Sequence, residues 1–330
     1  KNLYDELKAK GHEVRILTLS GNIAVDAIEV KAGTLQLTGS CTSTTVYTVN
    51  SGATLALSGS SVYSFDASSE RTINGTLKID SDVNVSGSGR ITIAPSGKIE
   101  LADGASLIRP EGNIASYWIQ GDLVALENAT ADFSTVDDVH FYEQAGGQIK
   151  TERGATLNLT SKSLQYWKAA SIELDDDSVL NLTTTGTDGV KHSGDDASAG
   201  LALTLGEGAA LNVLDGNVNL NAHSSLVLGT NAKVNFNGDN VTFDSGATLT
   251  MGTGSDLKVS SGTMKIQSDI GSADTSSTVT LAGGHLQLNS NGEQSVHSKL
   301  SVNNSAATVD SPSTSIIRND AGVDNMTRNL

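Results

Sequence analysis

Between residues 211 and 266 the chain reads Leu211-Asn212-Val213, Val218-Asn219-Leu220, Leu226-Val227-Leu228, Val234-Asn235-Phe236, Val241-Thr242-Phe243, Leu249-Thr250-Met251, Leu257-Lys258-Val259 and Met264-Lys265-Ile266. The first members are 7, 8, 8, 7, 8, 8 and 7 residues apart, so any three consecutive steps span about 23 residues. Each triplet is a minimal strand, with two apolar side chains on one side and a middle residue on the other. Turn residues such as Gly216-Asn217, Gly238-Asp239-Asn240, Ser245-Gly246 and Ser261-Gly262 fill the gaps. Strands this short are not stable alone, and spacers of about four residues cannot hold the helices of an ordinary parallel sheet. The repeat must therefore close by stacking on itself.

A three-sided coil of about 23 residues puts Leu211 beneath Val234 and Leu257, Val218 beneath Val241 and Met264, and Leu226 beneath Leu249. The predicted fold is all-β: a single-stranded parallel β-helix (β-solenoid) with three short strands per coil. Leu77, Ile91, Ile99 and Leu107 continue the pattern toward the N-terminus, as do Ile149, Leu157, Leu164, Ile172 and Leu180. Residues 1–20 are expected to cap the end, with a short helix over about Asn2 to Lys10, stopped at Gly11, and a strand from Val14 to Leu19. Residues 21–302 form the β-helix, least regular and richest in aromatics at 109–200. Leu300-Ser301-Val302 is the last clear strand, and 303–330 read as a polar cap or tail.

Composition narrows the function. With 21 Lys and Arg against 37 Asp and Glu, the chain carries a formal charge of −16. Such a chain repels phosphate backbones and anionic lipid, which argues against nucleic-acid partners. No run approaches the roughly 20 apolar residues of a spanning helix, so this segment is not expected to insert in a membrane. The 74 Ser and Thr, 24 Asn and 34 Gly, set against three Pro and thirteen aromatics, make a strand-and-turn composition. Cys41 is the single cysteine, which leaves packing and backbone pairing to hold the fold.

Three sets of residues are candidates for function. Tyr117-Trp118, Phe141-Tyr142 and Tyr166-Trp167 are aromatic pairs 24 and 25 residues apart, close to one coil. Strand alternation would turn one member of each pair outward, so they could form a ligand-stacking strip for a glycan or instead a ladder that seals the interior. The middle residues Asn212, Asn219, Asn235, Thr242 and Thr250 offer hydrogen-bonding rows for self-association. Finally, Asp137-Asp138, Asp175-Asp176-Asp177, Asp188 and Asp195-Asp196 are the carboxylates from which a polysaccharide-cleaving pair would be drawn. The same clusters could bind calcium loosely, although no calcium-loop spacing is present. The six histidines show no metal-ligand spacing, and nothing in the chain requires a cofactor.

The Gly-Ala-Thr-Leu-x-Leu type units at Gly52, Gly154 and Gly246, the last ending in Met251, with Ser-, Thr- and Asn-rich outer positions over residues 33–302, resemble the secreted β-helices of bacterial surface proteins. These are the autotransporter passenger domains and the filamentous-haemagglutinin-like adhesins. The resemblance implies a non-enzymatic, extracellular or cell-surface rod that contacts itself or cell-surface glycans, as in filaments or biofilm. The alternative is a phage tailspike or secreted polysaccharide hydrolase or lyase, with residues 109–200 as its active region.

Overall fold

The computed structural model describes residues 16–21, 27–39, 41–42, 46–59, 61–65, 71–87, 91–108, 117–133, 139–141, 147–270, 276–288, 293–302, 308–310 and 316–319. Every regular element among them is a β-strand, and every pairing between strands is parallel. The expected capping helix lies outside the described residues. The pairings Leu211 with Val234, Val234 with Leu257, Val218 with Val241, Val241 with Met264, and Leu226 with Leu249 are those the spacing requires. The chain is a parallel β-solenoid with three strands in a typical coil.

Its first face is an eleven-stranded sheet running from Ile16–Leu19 through Asp122–Ala125 to Thr248–Met251. Successive register steps along it are 18, 20, 22, 22, 24, 26, 23, 31, 23 and 23 residues, a mean of about 23. The second face follows in each coil, through strands such as Ala210–Asp215, Lys233–Phe236 and Asp256–Val259. The third carries Val218–Leu220, Asn240–Phe243 and Thr263–Ile266. These two merge where Thr156–Tyr166 and Val179–His192 run unbroken across both. Past residue 302 two further strands, Thr308–Asp310 and Ile316–Asn319, continue the parallel pairing.

Aliphatic columns fill the interior. Leu77, Ile99, Leu123, Ile149, Ile172, Leu203, Leu226 and Leu249 form one of them behind the first face, all buried. Burying each such side chain is worth about 1.5–3 kcal/mol, and the column stacks each one against its counterparts in the coils above and below.

The corner from the first to the second face repeats a single device. Gly104, Gly154, Asp177, Gly208, Asn231 and Gly254 all have φ between 58° and 72°. The αL conformation turns the chain there, and Asp and Asn are the side chains that tolerate it when Gly is absent. The following residue points inward and must be small: Ala105, Ala155, Ser178, Ala209, Ala232 and Ser255 are all buried. Backbone amides tie each corner to the next, as Asp177 N–H to Glu207 O at 2.8 Å and Asn231 N–H to Thr253 O at 2.9 Å.

Candidate functional site

The aromatic pairs do not form one column. Register sets Phe141 opposite Tyr166, but Tyr117 lies opposite Val139, two residues away from Phe141, and Trp118 lies opposite His140. Coils in this region differ in length, so equal spacing in sequence does not give equal height. Tyr142 lies outside the described residues. Tyr166 faces the interior at 1% exposure, where its ring meets that of His192 at 5.4 Å. Its hydroxyl reaches Ser224 Oγ at 3.3 Å and the Asn219 carbonyl at 3.4 Å. Burial raises the Tyr166 pKa above its usual 10.0. Trp167, just beyond the strand, is half-buried.

The polar row residues fall on three faces. Asn212 and Asn235 are neighbours on the second, Asn219 and Thr242 on the third, and Thr250 stands on the first. On the second face the row extends further than the triplets indicate. Asn181 Nδ2 donates to Asn158 Oδ1 at 2.8 Å, and Asn212 Nδ2 donates to Asn181 Oδ1 at 2.8 Å. Asn158, Asn181, Asn212 and Asn235 are thus stacked in register. Ser260 Oγ caps the row by donating to Asn235 Oδ1 at 2.9 Å. A second short ladder joins Asn240 Nδ2 to Asn217 Oδ1 at 3.1 Å. Both Asn158 and Asn181 escape a reading based on steps of 23, because the step from Asn181 to Asn212 is 31.

That long step has a defined origin. Against Lys162 the next coil sets Thr185, Gly186, Thr187 and Asp188, three residues more. Against residues 167–169 it sets residues 193–200, five more. The two insertions account for the eight residues by which this coil exceeds 23. They hold three of the candidate carboxylates, Asp188, Asp195 and Asp196, and the described candidates as a whole are spread over three corners. Asp175, Asp176 and Asp177 precede the second face, Asp188 lies between the second and third, and Asp195 and Asp196 lie between the third and the first. Asp137 and Asp138 lie outside the described residues.

Several of these acids already have partners. Asp176 meets Arg153 at 3.1 Å, Asp188 meets Lys191 at 2.9 Å and Asp196 meets Lys168 at 3.2 Å. Asp196 Oδ1 also accepts from the Ser198 hydroxyl at 2.6 Å and the Ser198 amide at 3.1 Å. These bonds, with Lys168, hold the Asp196 carboxyl down to about 2. Among the described residues no group of three or more His, Cys, Asp or Glu could hold a metal ion. No helix among them is long and apolar enough to cross a membrane.

The first face and the merged second and third faces repeat their outward residues once per coil. No family model, curated protein or solved structure matches the chain.

Proposed function

We propose that this protein is a non-enzymatic structural or adhesive rod at the cell surface or outside the cell, whose partner is a second copy of itself. The asparagine row from Asn158 to Asn235 supports this reading most directly. Bonds of 2.8 Å join Asn158, Asn181 and Asn212 and Asn235 follows in register, which presents a line of donors and acceptors along the rod. A pre-ordered row loses little side-chain entropy when another surface binds it. Regular parallel ladders also favour association at uncovered strand edges. The test is sedimentation velocity together with light scattering over a wide concentration range. The expected result is multimers that grow with concentration. A strictly monomeric species at high concentration, without cell or glycan binding, would end this reading.

A polysaccharide hydrolase or lyase is the second reading, favoured by the lengthened 31-residue coil, whose three corners carry Asp175 and Asp177, Asp188, and Asp195 and Asp196. Asn substitutions at Asp175, Asp177, Asp195 and Asp196, assayed on a panel of acidic polysaccharides, test it. Cleavage lost in one of these variants would replace the rod by an enzyme.

A further inference from the structure

The first face carries two outward rows, and its charges are confined to the five coils at its centre. Register places Lys78, Glu100, Val124, Lys150 and Glu173 in one row, and Thr76, Lys98, Asp122, Gln148 and Ser171 in the other. Over the whole face, from Thr18 to Thr250, the outward residues include three lysines and three carboxylates. The face is neutral on a chain of net charge −16. The flanking strands carry only small residues in these rows, Thr54 and Ala56 on one side and Ala202 and Thr204 on the other.

The charged row has an order that matters. Read from Lys78 it runs positive, negative, apolar, positive, negative; reversed, it runs negative, positive, apolar, negative, positive. Each position in one direction is complementary to its counterpart in the other. The centre is Val124 on the Asp122–Ala125 strand, the sixth of eleven, so equal numbers of strands lie on either side.

We propose that the first face is a self-complementary dimer interface, in which two rods pair antiparallel about a two-fold axis along the Asp122–Ala125 strand. A two-fold axis makes each contact occur twice. Lys78 of each copy meets Glu173 of the other and Glu100 meets Lys150, with Val124, itself buried at 7% exposure, on the axis between them. Asp122 meets its own counterpart, with Lys98 and Lys150 of both copies beside it; within one copy Lys150 already lies 3.7 Å from Asp122 and 3.9 Å from Glu173. Eleven strands about 4.8 Å apart and about four residues wide give roughly 650 Å² per copy. The total, about 1,300 Å², reaches the lower range of specific interfaces. The net negative charge elsewhere repels other approaches, so a neutral, complementary face also selects the orientation. This inference rests on the reading of the protein as a self-associating rod and adds the first face as a pairing surface distinct from the asparagine row of the second.

Charge-reversal variants test it by mixing. Lys78→Glu alone sets two like-charged pairs in every dimer, and so does Glu173→Lys alone; each should weaken association about 100-fold or more. In a mixture of the two variants every such pair is again opposite in sign, so heterodimers should return at near wild-type affinity, and more weakly in high salt. Contacts within a chain, such as Lys78 with Asp80 at 2.8 Å, are unchanged by mixing, so rescue cannot come from repaired folding. Thermal melts of each variant alone confirm that the rods are intact. Wild-type multimers with unimpaired single variants, or impaired variants that mixing fails to rescue, would overturn this interface and leave the rod reading standing. A wild-type chain that never associates would overturn both.

Discussion

Replacing Tyr166 by Phe separates the two roles open to an aromatic residue on this rod. The ring is buried and the hydroxyl lies at the long end of hydrogen-bond distance from two groups, 3.3 Å from Ser224 Oγ and 3.4 Å from the Asn219 carbonyl. Removing it leaves Ser224 satisfied, because Ser224 Oγ still donates to Asn221 Oδ1 at 2.9 Å and accepts from the Leu201 amide at 3.0 Å. The cost should therefore lie at the low end of a buried hydrogen bond, about 0.5–1 kcal/mol. Tyr166→Ala removes the ring as well and should cost about 3–5 kcal/mol.

A pH dependence follows from the same burial. Because the folded state raises the Tyr166 pKa above 10.0, the unfolded chain loses this proton first. The contribution to stability is complete below pH 10 and is lost as pH rises through the folded value. The gap between wild type and Tyr166→Phe, measured by urea denaturation, should shrink above pH 10. Glycan binding should be unaffected in both variants. An Ala variant of normal stability, or one that binds glycan less while its melt is unchanged, would refute the assignment of Tyr166 to the core.

Leu226→Ala, in the buried column between Leu203 and Leu249, should cost about 2–5 kcal/mol, with hydrogen-exchange protection lost only in neighbouring coils. Gly121→Ala drives a methyl into the Gly97 carbonyl of the coil below and should disrupt pairing there, seen as an early local transition in the same exchange experiment. Val in place of Asn231, whose φ is 58°, should cost about 1–2 kcal/mol or more in a denaturant melt, whereas Gly should be nearly neutral. The Asp196 carboxyl should titrate at about 2 by NMR, and Ser198→Ala should move it up toward 3.8, since the Ser198 hydroxyl is the largest cause of the shift.

The solenoid is legible in the sequence where coil length is constant. From Leu211 to Met264 the register steps are all 23, so spacing alone identifies the vertical neighbours. Legibility fails where corners take up extra residues. The insertions at 185–188 and 193–200 conceal that Asn181 lies beneath Asn212, and a similar drift takes Tyr117 away from Phe141. Strand interiors are constrained by neighbours on both sides, whereas corners are free to lengthen outward without disturbing the columns. The complementary charges of the first face are hidden for a related reason. Successive members of Lys78, Glu100, Lys150 and Glu173 are 22, 50 and 23 residues apart, and only the fold makes them one row.

The ladder bonds between coils all run along the rod, which governs how it would yield to tension applied at its ends. Such a pull opens the bonds of a coil in succession, as a zipper does, so one winding detaches before the next is loaded. Each freed winding of about 23 residues extends to about 80 Å, and that of 31 residues to about 105 Å. A force trace would then show a row of shallow drops spaced by windings of 18 to 26 residues, interrupted by the longer one of 31.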